Sequence, residues 1–143
     1  MAKEKWTDPG RVVWVFAMQA LILEKPRRFV LGERPVPQPG PGEVLVRVRH
    51  IGVCGTDIHA WEGNQPFFNY PRVLGHELGV EVVEPGPGCE RVRPGDRASV
   101  EPYLNNPDSP ASRRGKPNCC EDLSVLGVHQ DGGMCPLLVV PER

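Results

Sequence analysis

Glycine and proline interrupt this chain so often that short strands joined by turns are its most natural building units. The sequence contains 16 Gly and 17 Pro, which gather in clusters such as "PQPGPG", "EPGPG" and "RPGD". Runs rich in Val lie between these clusters, and helix signals are few. Short apolar runs separated by turn residues, at roughly 8–12 residue spacing, are typical of a barrel or a sandwich. We therefore predict a mainly β fold with few short helices.

The clearest strand signal is "EVLVRVRHIGV", in which apolar and charged residues alternate. Val44, Val46 and Val48 fall on one face, and Arg47 and Arg49 fall on the other. This period of two is typical of a half-buried strand. Further strands are predicted in "QALILEKP", "RFVLGERPVP", "RVLGHELGVEVVEPGPG", "VRPGDRASVEPY" and the last apolar run, "PLLVVPER". The second of these is expected at a sheet edge, because its prolines cannot donate ladder hydrogen bonds.

The size and charge of the chain exclude several classes of protein. A chain of 143 residues is the size of one domain, and we expect a flexible extension at residues 1–17 followed by the domain at 18–143. The segment "RVVWVFAMQALIL" faintly resembles a signal peptide, but "MQALIL" fits a first strand better. Lys and Arg number 17 against 18 Asp and Glu, so we expect no nucleic-acid partner. No apolar run reaches the roughly 18 residues of a membrane span, so we expect no membrane partner.

The cysteine count indicates a reducing compartment. There are five cysteines, an odd number that fits a disulfide framework poorly. A cytoplasmic location is the better interpretation, and there thiols are more often buried, catalytic or metal-bound. The five are Cys54, Cys89, Cys119, Cys120 and Cys135.

One short segment concentrates reactive side chains. The stretch "GVCGTDIHA" holds Cys54, Thr56, Asp57 and His59, and His76 follows in "VLGHELG", 22 positions after the thiol. A thiolate and an imidazole are ligands that Zn²⁺ prefers. One Cys and one distant His form a weak signal by themselves, so on these residues alone a satisfied core pair remains an alternative to a metal site.

The surrounding motifs strengthen the metal interpretation. "GVCGTDIHA", "GHE", "GPGCERVRPGDR", "EPY" and "DGG", taken in order, resemble the N-terminal GroES-like catalytic domain of zinc-dependent medium-chain alcohol and polyol dehydrogenases. The resemblance runs from about Met18 to about Pro141 and implies a GroES-like irregular barrel. It also implies catalytic Zn²⁺, NAD(P) in the full-length enzyme, and a small alcohol, polyol or sugar acid as substrate. No Gly-x-Gly-x-x-Gly occurs between a strand and a helix, so no Rossmann domain and no cofactor-binding residues are predicted in this chain.

The resemblance also assigns ligands to the catalytic zinc. Cys54 and His76 match the first two ligands, and Glu77 matches an acidic neighbour that ligates the metal or sits just behind it. Asp57 matches a carboxylate that orients the ligand imidazole, as outer partners of metal ligands do.

The remaining assigned roles concern the proton that leaves the substrate. Zinc lowers the pKa of a bound alcohol, and the resulting alkoxide gives hydride to the nicotinamide. Thr56 matches the hydroxyl that takes the alcohol proton, and His59 matches the outer end of the relay.

Simpler interpretations exist for several of these side chains. Thr56 could be a strand-end residue bonded to backbone, Asp57 could be only a helix N-cap, and His59 could be a surface histidine. Three aromatic residues could border the substrate cleft or serve mainly in packing: Trp61, Phe67 and Phe68.

The sequence departs from the family pattern in the lobe at 105–120, which is polar and shows no strand signal. The four positions that match the family's structural zinc cysteines are Asn106, Ser109, Ser112 and Cys120. Neutral Asn and Ser are poor zinc ligands, so we predict no structural zinc. Nearer the end of the sequence, Pro136 removes a ladder donor, which puts the pairing of the last strand in doubt.

The family's third catalytic ligand and its cofactor domain lie outside these 143 residues. We therefore expect an incomplete zinc site, weak zinc binding at most, and little or no activity from the isolated chain, so its status as an enzyme stays open. An exposed part of the barrel core would favour a homo-oligomer. Two alternatives are a non-catalytic GroES-like binding or assembly module with relic metal residues and a zinc-free reductase of the same superfamily.

Overall fold

The structure is a computed structural model that describes residues 3–8, 11–66 and 68–143. Residues 1, 2, 9 and 10, which belong to the extension predicted at 1–17, lie outside the described residues. So does Phe67, one of the three aromatics considered for the cleft. The flexibility of the extension and the domain boundary at residue 18 therefore stay predictions.

The described residues form a mainly β structure with two short α-helices, as the turn clusters predicted. The strands are β1 (Lys3–Asp8), β2 (Arg11–Lys25), β3 (Arg28–Pro35), β4 (Glu43–Gly52), β5 (Arg72–Val73), β6 (Glu77–Pro85), β7 (Arg97–Ser99), β8 (Tyr103–Leu104), β9 (Ser124–Val125) and β10 (Leu137–Pro141). The helices are α1 (Gly55–Glu62) and α2 (Pro110–Arg113), and a 3₁₀ turn covers Pro117–Cys119.

The strands pair in three sheets. The first has the order β1-β2-β3, with β5 also paired to β2. The second has the order β10-β4-β6-β7, and β8 pairs with β9 in a third. All these strand pairs are antiparallel, whereas a Rossmann sheet is mostly parallel. Within the described residues, β3 pairs only with β2, which confirms its predicted place at a sheet edge.

The alternation in β4 has the expected consequence for the core. Val44 and Val46 are buried against Val80, Val82 and other apolar residues of β6, and Val48 packs at the margin of the same cluster. The two strands lie side by side in one sheet, with register pairs such as Val46 and Val82. Cross-strand apolar contacts of this kind stabilise a sheet, so the pair β4–β6 forms a firm base for the residues that follow each strand.

A second apolar cluster lies under α1 and holds the helix in place. Ala60 of α1 is buried together with Leu23, Phe68, Leu74 and Val128. Leu23 and Leu74 are almost completely inaccessible to solvent, and replacing such a leucine by alanine typically costs about 2–5 kcal/mol. This cluster fixes the start of α1 relative to the segment just after β5.

Two local expectations need correction. The stretch "RVLGHELGVEVV" was expected as one strand region, but it splits into β5 and β6 at Gly75, whose φ of +94° lies in the left-handed region. The doubt about the last strand was unfounded. β10 pairs with β4, and the carbonyl of Pro136 still accepts a hydrogen bond from Val48 N.

Candidate metal centre

The start of α1 is built around Cys54. This residue has extended backbone angles (φ −113°, ψ 178°) and is the N-cap of the helix. Its Sγ accepts a hydrogen bond from Thr56 N at 3.3 Å, and Asp57 Oδ2 accepts one from Cys54 N at 3.1 Å. The two bonds form a capping box. The prediction of Asp57 as a possible N-cap was therefore three positions off, since Asp57 is the acidic partner in the first turn.

His76 reaches the same place from the connection between β5 of the first sheet and β6 of the second. It lies between β5 and β6, directly after Gly75, and only 9% of its surface is exposed. The left-handed turn at Gly75 directs the chain out of β5 and into β6. The start of α1 and the turn at Gly75 thus bring Cys54 and His76 together, although 22 positions separate them in the sequence.

The geometry of the cluster is compact. Cys54 Sγ lies 3.0 Å from His76 Nε2, and Asp57 Oδ1 lies 3.7 Å from His76 Nδ1. One ligand atom from each of the three residues can be chosen so that all lie within 4.8 Å of one another. The two nitrogens of the ring therefore face different partners, the thiol on one side and the carboxylate on the other.

The donor set of this cluster fits zinc. In tetrahedral coordination, Zn–S of about 2.3 Å and Zn–N of about 2.0–2.1 Å place the two ligand atoms about 3.5 Å apart. The observed 3.0 Å between Cys54 Sγ and His76 Nε2 needs an opening of only about half an ångström. Thiolate, imidazole and carboxylate are all zinc ligands, so the residues present fit the ion.

The second nitrogen of His76 supports this reading. Nδ1 is buried and has no hydrogen-bond partner among the described residues, and buried polar atoms are normally paired. The Asp57 carboxylate lies 3.7 Å from this nitrogen and is only 4% exposed. A small movement of either side chain would make the carboxylate–histidine contact that orients metal-bound imidazoles.

The other predicted site residues lie around this cluster. Thr56 is half-buried in the first turn of α1. His59 is exposed, with Nδ1 3.9 Å from Glu62 Oε2. Glu77 is exposed at the first position of β6, its side chain lying over Gly52, and it is not one of the three clustered residues. Its role as a ligand therefore stays a prediction.

An apolar pocket of about 320 Å³ opens beside Asp57. Trp61 lines it, as considered from the sequence, whereas Phe68 is buried and packs edge-to-face on Tyr70. Sequence reasoning missed the other apolar lining residues, which are Leu21, Phe29, Val53, Ile58, Leu74 and Met134. The only signal for Val53 and Ile58 was their apolar character on either side of the reactive motif.

In the lobe at 105–120, hydrogen bonds join the four positions that match the family's structural zinc cysteines. Asn106 N donates to Cys120 Sγ at 3.3 Å, and the hydroxyl oxygens of Ser109 and Ser112 lie 2.8 Å apart. Ser109 is also the N-cap of α2. The Ser109 hydroxyl, followed by backbone N–H groups, lowers the pKa of the Cys120 thiol. As predicted, no strand crosses residues 105–120.

Comparison with known proteins identifies a family. The family described as "Alcohol dehydrogenase GroES-like domain" matches residues 40–143. The L-galactonate-5-dehydrogenase of Escherichia coli K12 is 48% identical over 124 residues, which cover 87% of this chain and 36% of that protein. The chain thus spans a little over a third of the length of this relative.

Solved structures agree with the fold. A short chain alcohol dehydrogenase from Escherichia coli CFT073, in complex with the cofactor NADH, is 40% identical with a TM-score of 0.81. The match covers 88% of this chain and 36% of that one. A cobalt- and zinc-bound thermostable alcohol dehydrogenase from Pyrobaculum aerophilum is 32% identical with a TM-score of 0.78, covering 88% and 40%.

Proposed function

Because the chain belongs to the alcohol dehydrogenase GroES-like domain family, we propose that it is the catalytic-domain portion of a zinc-dependent, NAD(P)-linked alcohol or polyol dehydrogenase. The observation that carries the proposal is the convergence of Cys54 Sγ and His76 Nε2 at 3.0 Å beside the buried carboxylate of Asp57. A GroES-like fold used only as a binding module has no need of such a donor set.

Cys54 and His76 would hold the zinc, with Glu77 as a third candidate ligand. A zinc ion bound there would act as a Lewis acid that polarises the oxygen of a substrate alcohol. The Asp57 carboxylate faces Nδ1 of His76 and would keep the ring's other nitrogen free to ligate. Asp57 and His76 are both buried. The exclusion of water strengthens the electrostatic contact between them.

Thr56 and His59 would move the proton. Thr56 sits in the same helical turn as the cluster, and its hydroxyl can both accept and donate a proton. His59 lies one turn further along α1 with its ring exposed. An exposed imidazole can accept a proton at one ring nitrogen and release one to water from the other, which suits the outer end of a relay.

The substrate class is proposed from the pocket and a relative, and the cellular location is proposed from the state of the cysteines. The apolar pocket beside Asp57 suits the carbon chain of a small alcohol, and the polyol or sugar-acid alternative follows the L-galactonate-5-dehydrogenase relative. All five cysteines are free, which suits a cytoplasmic location. No helix in the described part of the chain combines the length and apolarity needed to cross a bilayer.

The isolated 143 residues should bind zinc weakly and catalyse little. Two firm ligands and one exposed candidate make a poorer site than the three-ligand sets usual for catalytic zinc. Nicotinamide cofactors are commonly held by a Gly-rich Rossmann unit, and the sequence lacks that signature.

A calorimetric zinc titration tests the metal site. Wild-type protein and Cys89→Ser, a control at another half-buried thiol that donates to Glu43 O, should take up one zinc per chain. Cys54→Ser and His76→Ala should lose at least about tenfold in affinity, because each removes one ligand. Equal uptake by all four proteins would refute the site and favour the binding or assembly module.

A further inference from the structure

The segment that carries His76 is held along its length by the loop at 127–134. Three consecutive amides of the loop donate to three consecutive carbonyls of the segment before His76. The bonds are Gly132 N to Val73 O at 2.7 Å, Gly133 N to Gly75 O at 2.8 Å and Met134 N to Leu74 O at 2.9 Å. The segment therefore has little freedom to shift independently of the loop.

The two pieces of backbone touch without intervening side chains. A Cβ on Gly132 would overlap the carbonyl oxygen of Gly75 and approach Leu74 O at 2.7 Å. A Cβ on Gly127 would lie 3.1 Å from the backbone of Gly75. Such close approach is open only to glycine. A displacement of the loop would consequently be passed on to Gly75 and to His76 after it.

One side chain of the loop joins this contact. Asp131 Oδ1 accepts a hydrogen bond from Val73 N at 3.0 Å. The same carboxylate lies 3.5 Å from Arg72 and 3.8 Å from Arg34, with 46% of its side chain exposed. The longer pair, with Arg34, is solvent-exposed on both sides and contributes little, whereas the Arg72 side chain is only 18% exposed. The bond to Val73 N is the contact through which Asp131 acts directly on the backbone of β5.

We propose that Asp131 is a positioning residue for the metal ligand His76, an inference that rests on the metal site proposed above. Asp131 acts through Val73 and the loop contacts, and it touches neither the ion nor the substrate. Its bond to Val73 N registers β5 against the loop, and the loop then sets where the backbone turns at Gly75. Loss of that bond lets the imidazole of His76 move relative to Cys54 Sγ.

Three substitutions separate the hydrogen bond from the charge. Asp131→Asn keeps an acceptor oxygen and removes the charge, Asp131→Glu keeps the charge but displaces the acceptor, and Asp131→Ala removes both. Glu81→Ala is the control, because it deletes a half-buried carboxylate that pairs with Arg49 at 2.9 Å on the neighbouring sheet. Co²⁺ uptake by each protein is followed through the absorption of the thiolate–cobalt complex.

We expect wild-type affinity for Asp131→Asn and Glu81→Ala. Asp131→Ala and Asp131→Glu should bind Co²⁺ about tenfold more weakly, the lower end of the range for outer partners of metal ligands. Equal affinity in all the proteins would overturn the inference, as would an Asn variant as weak as the Glu variant. Should Asp131→Ala fail to fold, the order of the Asn and Glu variants decides the question.

The position of the His76 ring in the metal-free protein gives a second readout, by NMR of its ring protons. These resonances should move in the Ala and Glu variants and stay unchanged in the Asn variant and the control. A wild-type chain that takes up no Co²⁺ refutes the proposed function, and the ring resonances alone then decide whether Asp131 positions His76. Unchanged resonances in every variant would overturn that role.

Discussion

Cys54 combines two roles that different residues usually perform. As the N-cap of α1 it accepts a hydrogen bond from Thr56 N, and its Sγ also faces His76 Nε2 at 3.0 Å. Capping alone would be served better by Ser, Thr, Asp or Asn. A thiol at this position is explained more readily by metal binding. The helix cap then has the further effect of fixing the direction of the Sγ atom.

The buried thiol of Cys135 leads to a prediction about the free energy of unfolding at alkaline pH. Burial raises the pKa of this thiol from its ordinary value of 9.0 to about 11. The folded state therefore keeps the thiol protonated while the unfolded state ionises. The stabilising contribution is complete below about pH 9 and is lost as the pH rises toward about 11. Urea unfolding of wild-type protein and Cys135→Ala should converge in free energy across this range.

The control for that experiment is Cys119→Ala, which removes an exposed thiol. It should follow the wild-type pH dependence. If wild-type protein and Cys135→Ala lose the same free energy between about pH 8 and about pH 11, Cys135 is not protected from ionisation by the fold.

Sequence reasoning named Cys54, His76 and the carboxylate of Asp57 that faces the imidazole, but it did not name Asp131. Cys54 and His76 could be named because their chemistry and the surrounding motifs single them out. Asp131 could not, because an exposed carboxylate beside two glycines is typical of any turn. Its role depends on which backbone amide the fold places opposite it.

At the scale of elements, the contact between the loop at 127–134 and the end of β5 makes a strong prediction. Gly132→Ala should destabilise the protein by about 2–3 kcal/mol or more, because the new methyl group cannot fit against Gly75 and Leu74 without moving backbone. Gly55→Ala is the matched control. No atom lies within 4 Å of its new methyl group, and alanine favours a helix over glycine by up to about 1 kcal/mol.

Chemical denaturation of the metal-free proteins measures the change in stability caused by each substitution. Gly55→Ala should be as stable as wild-type protein or more so. A Gly132→Ala variant that unfolds at the wild-type midpoint would contradict the close packing of the loop on β5.

The elements were predictable where a local pattern decides them. The alternation in β4 was sufficient to predict which of its residues share a face, and Pro and Gly clusters marked the turns. The division of β5 from β6 was not predictable, because apolar residues precede Gly75 and resume at Leu78. Only the packing of the distant loop explains the turn there. The start of α1 was misplaced because cysteine is not a preferred N-cap.

At the scale of the whole molecule, an open apolar groove of about 480 Å³ runs beside the second sheet. Its apolar lining includes Val46, Val80, Val92, Leu104, Leu126 and Val140. Val46, Val80 and Leu126 are buried, whereas Val92, Leu104 and Val140 are half-exposed. Apolar surface left open to solvent promotes association, and we propose that the isolated chain forms homo-oligomers through the half-exposed side of the groove. Sedimentation should show an average mass that rises with protein concentration.

A pair of substitutions tests that surface. Tyr103 lines the groove and is 56% exposed, whereas Leu31 is 69% exposed and does not line it. Tyr103→Glu should weaken association because it places a charge in the apolar groove, and Leu31→Glu should leave it unchanged. A chain that stays monomeric at every concentration, or equal effects of both substitutions, would contradict the proposal.

The fold class as a whole was accessible from the sequence. Turn clusters indicated a mainly β chain, and the ordered motifs indicated the GroES-like family that the comparison with residues 40–143 confirms. The lobe at 105–120 shows the limit of that approach. Its missing thiolates could be read from the sequence, but the hydrogen bonds that join Ser109, Ser112 and Asn105 depend on three-dimensional proximity.

X-ray absorption at the zinc edge tests the central claim most directly, because it reports the atoms around the ion itself. For the zinc-loaded chain we predict one sulfur at about 2.3 Å and at least one imidazole nitrogen at about 2.0–2.1 Å. The sulfur shell should vanish in Cys54→Ser and persist in Cys89→Ser. A wild-type spectrum without sulfur, or a sulfur shell that survives in Cys54→Ser, would contradict a metal centre shared by Cys54 and His76.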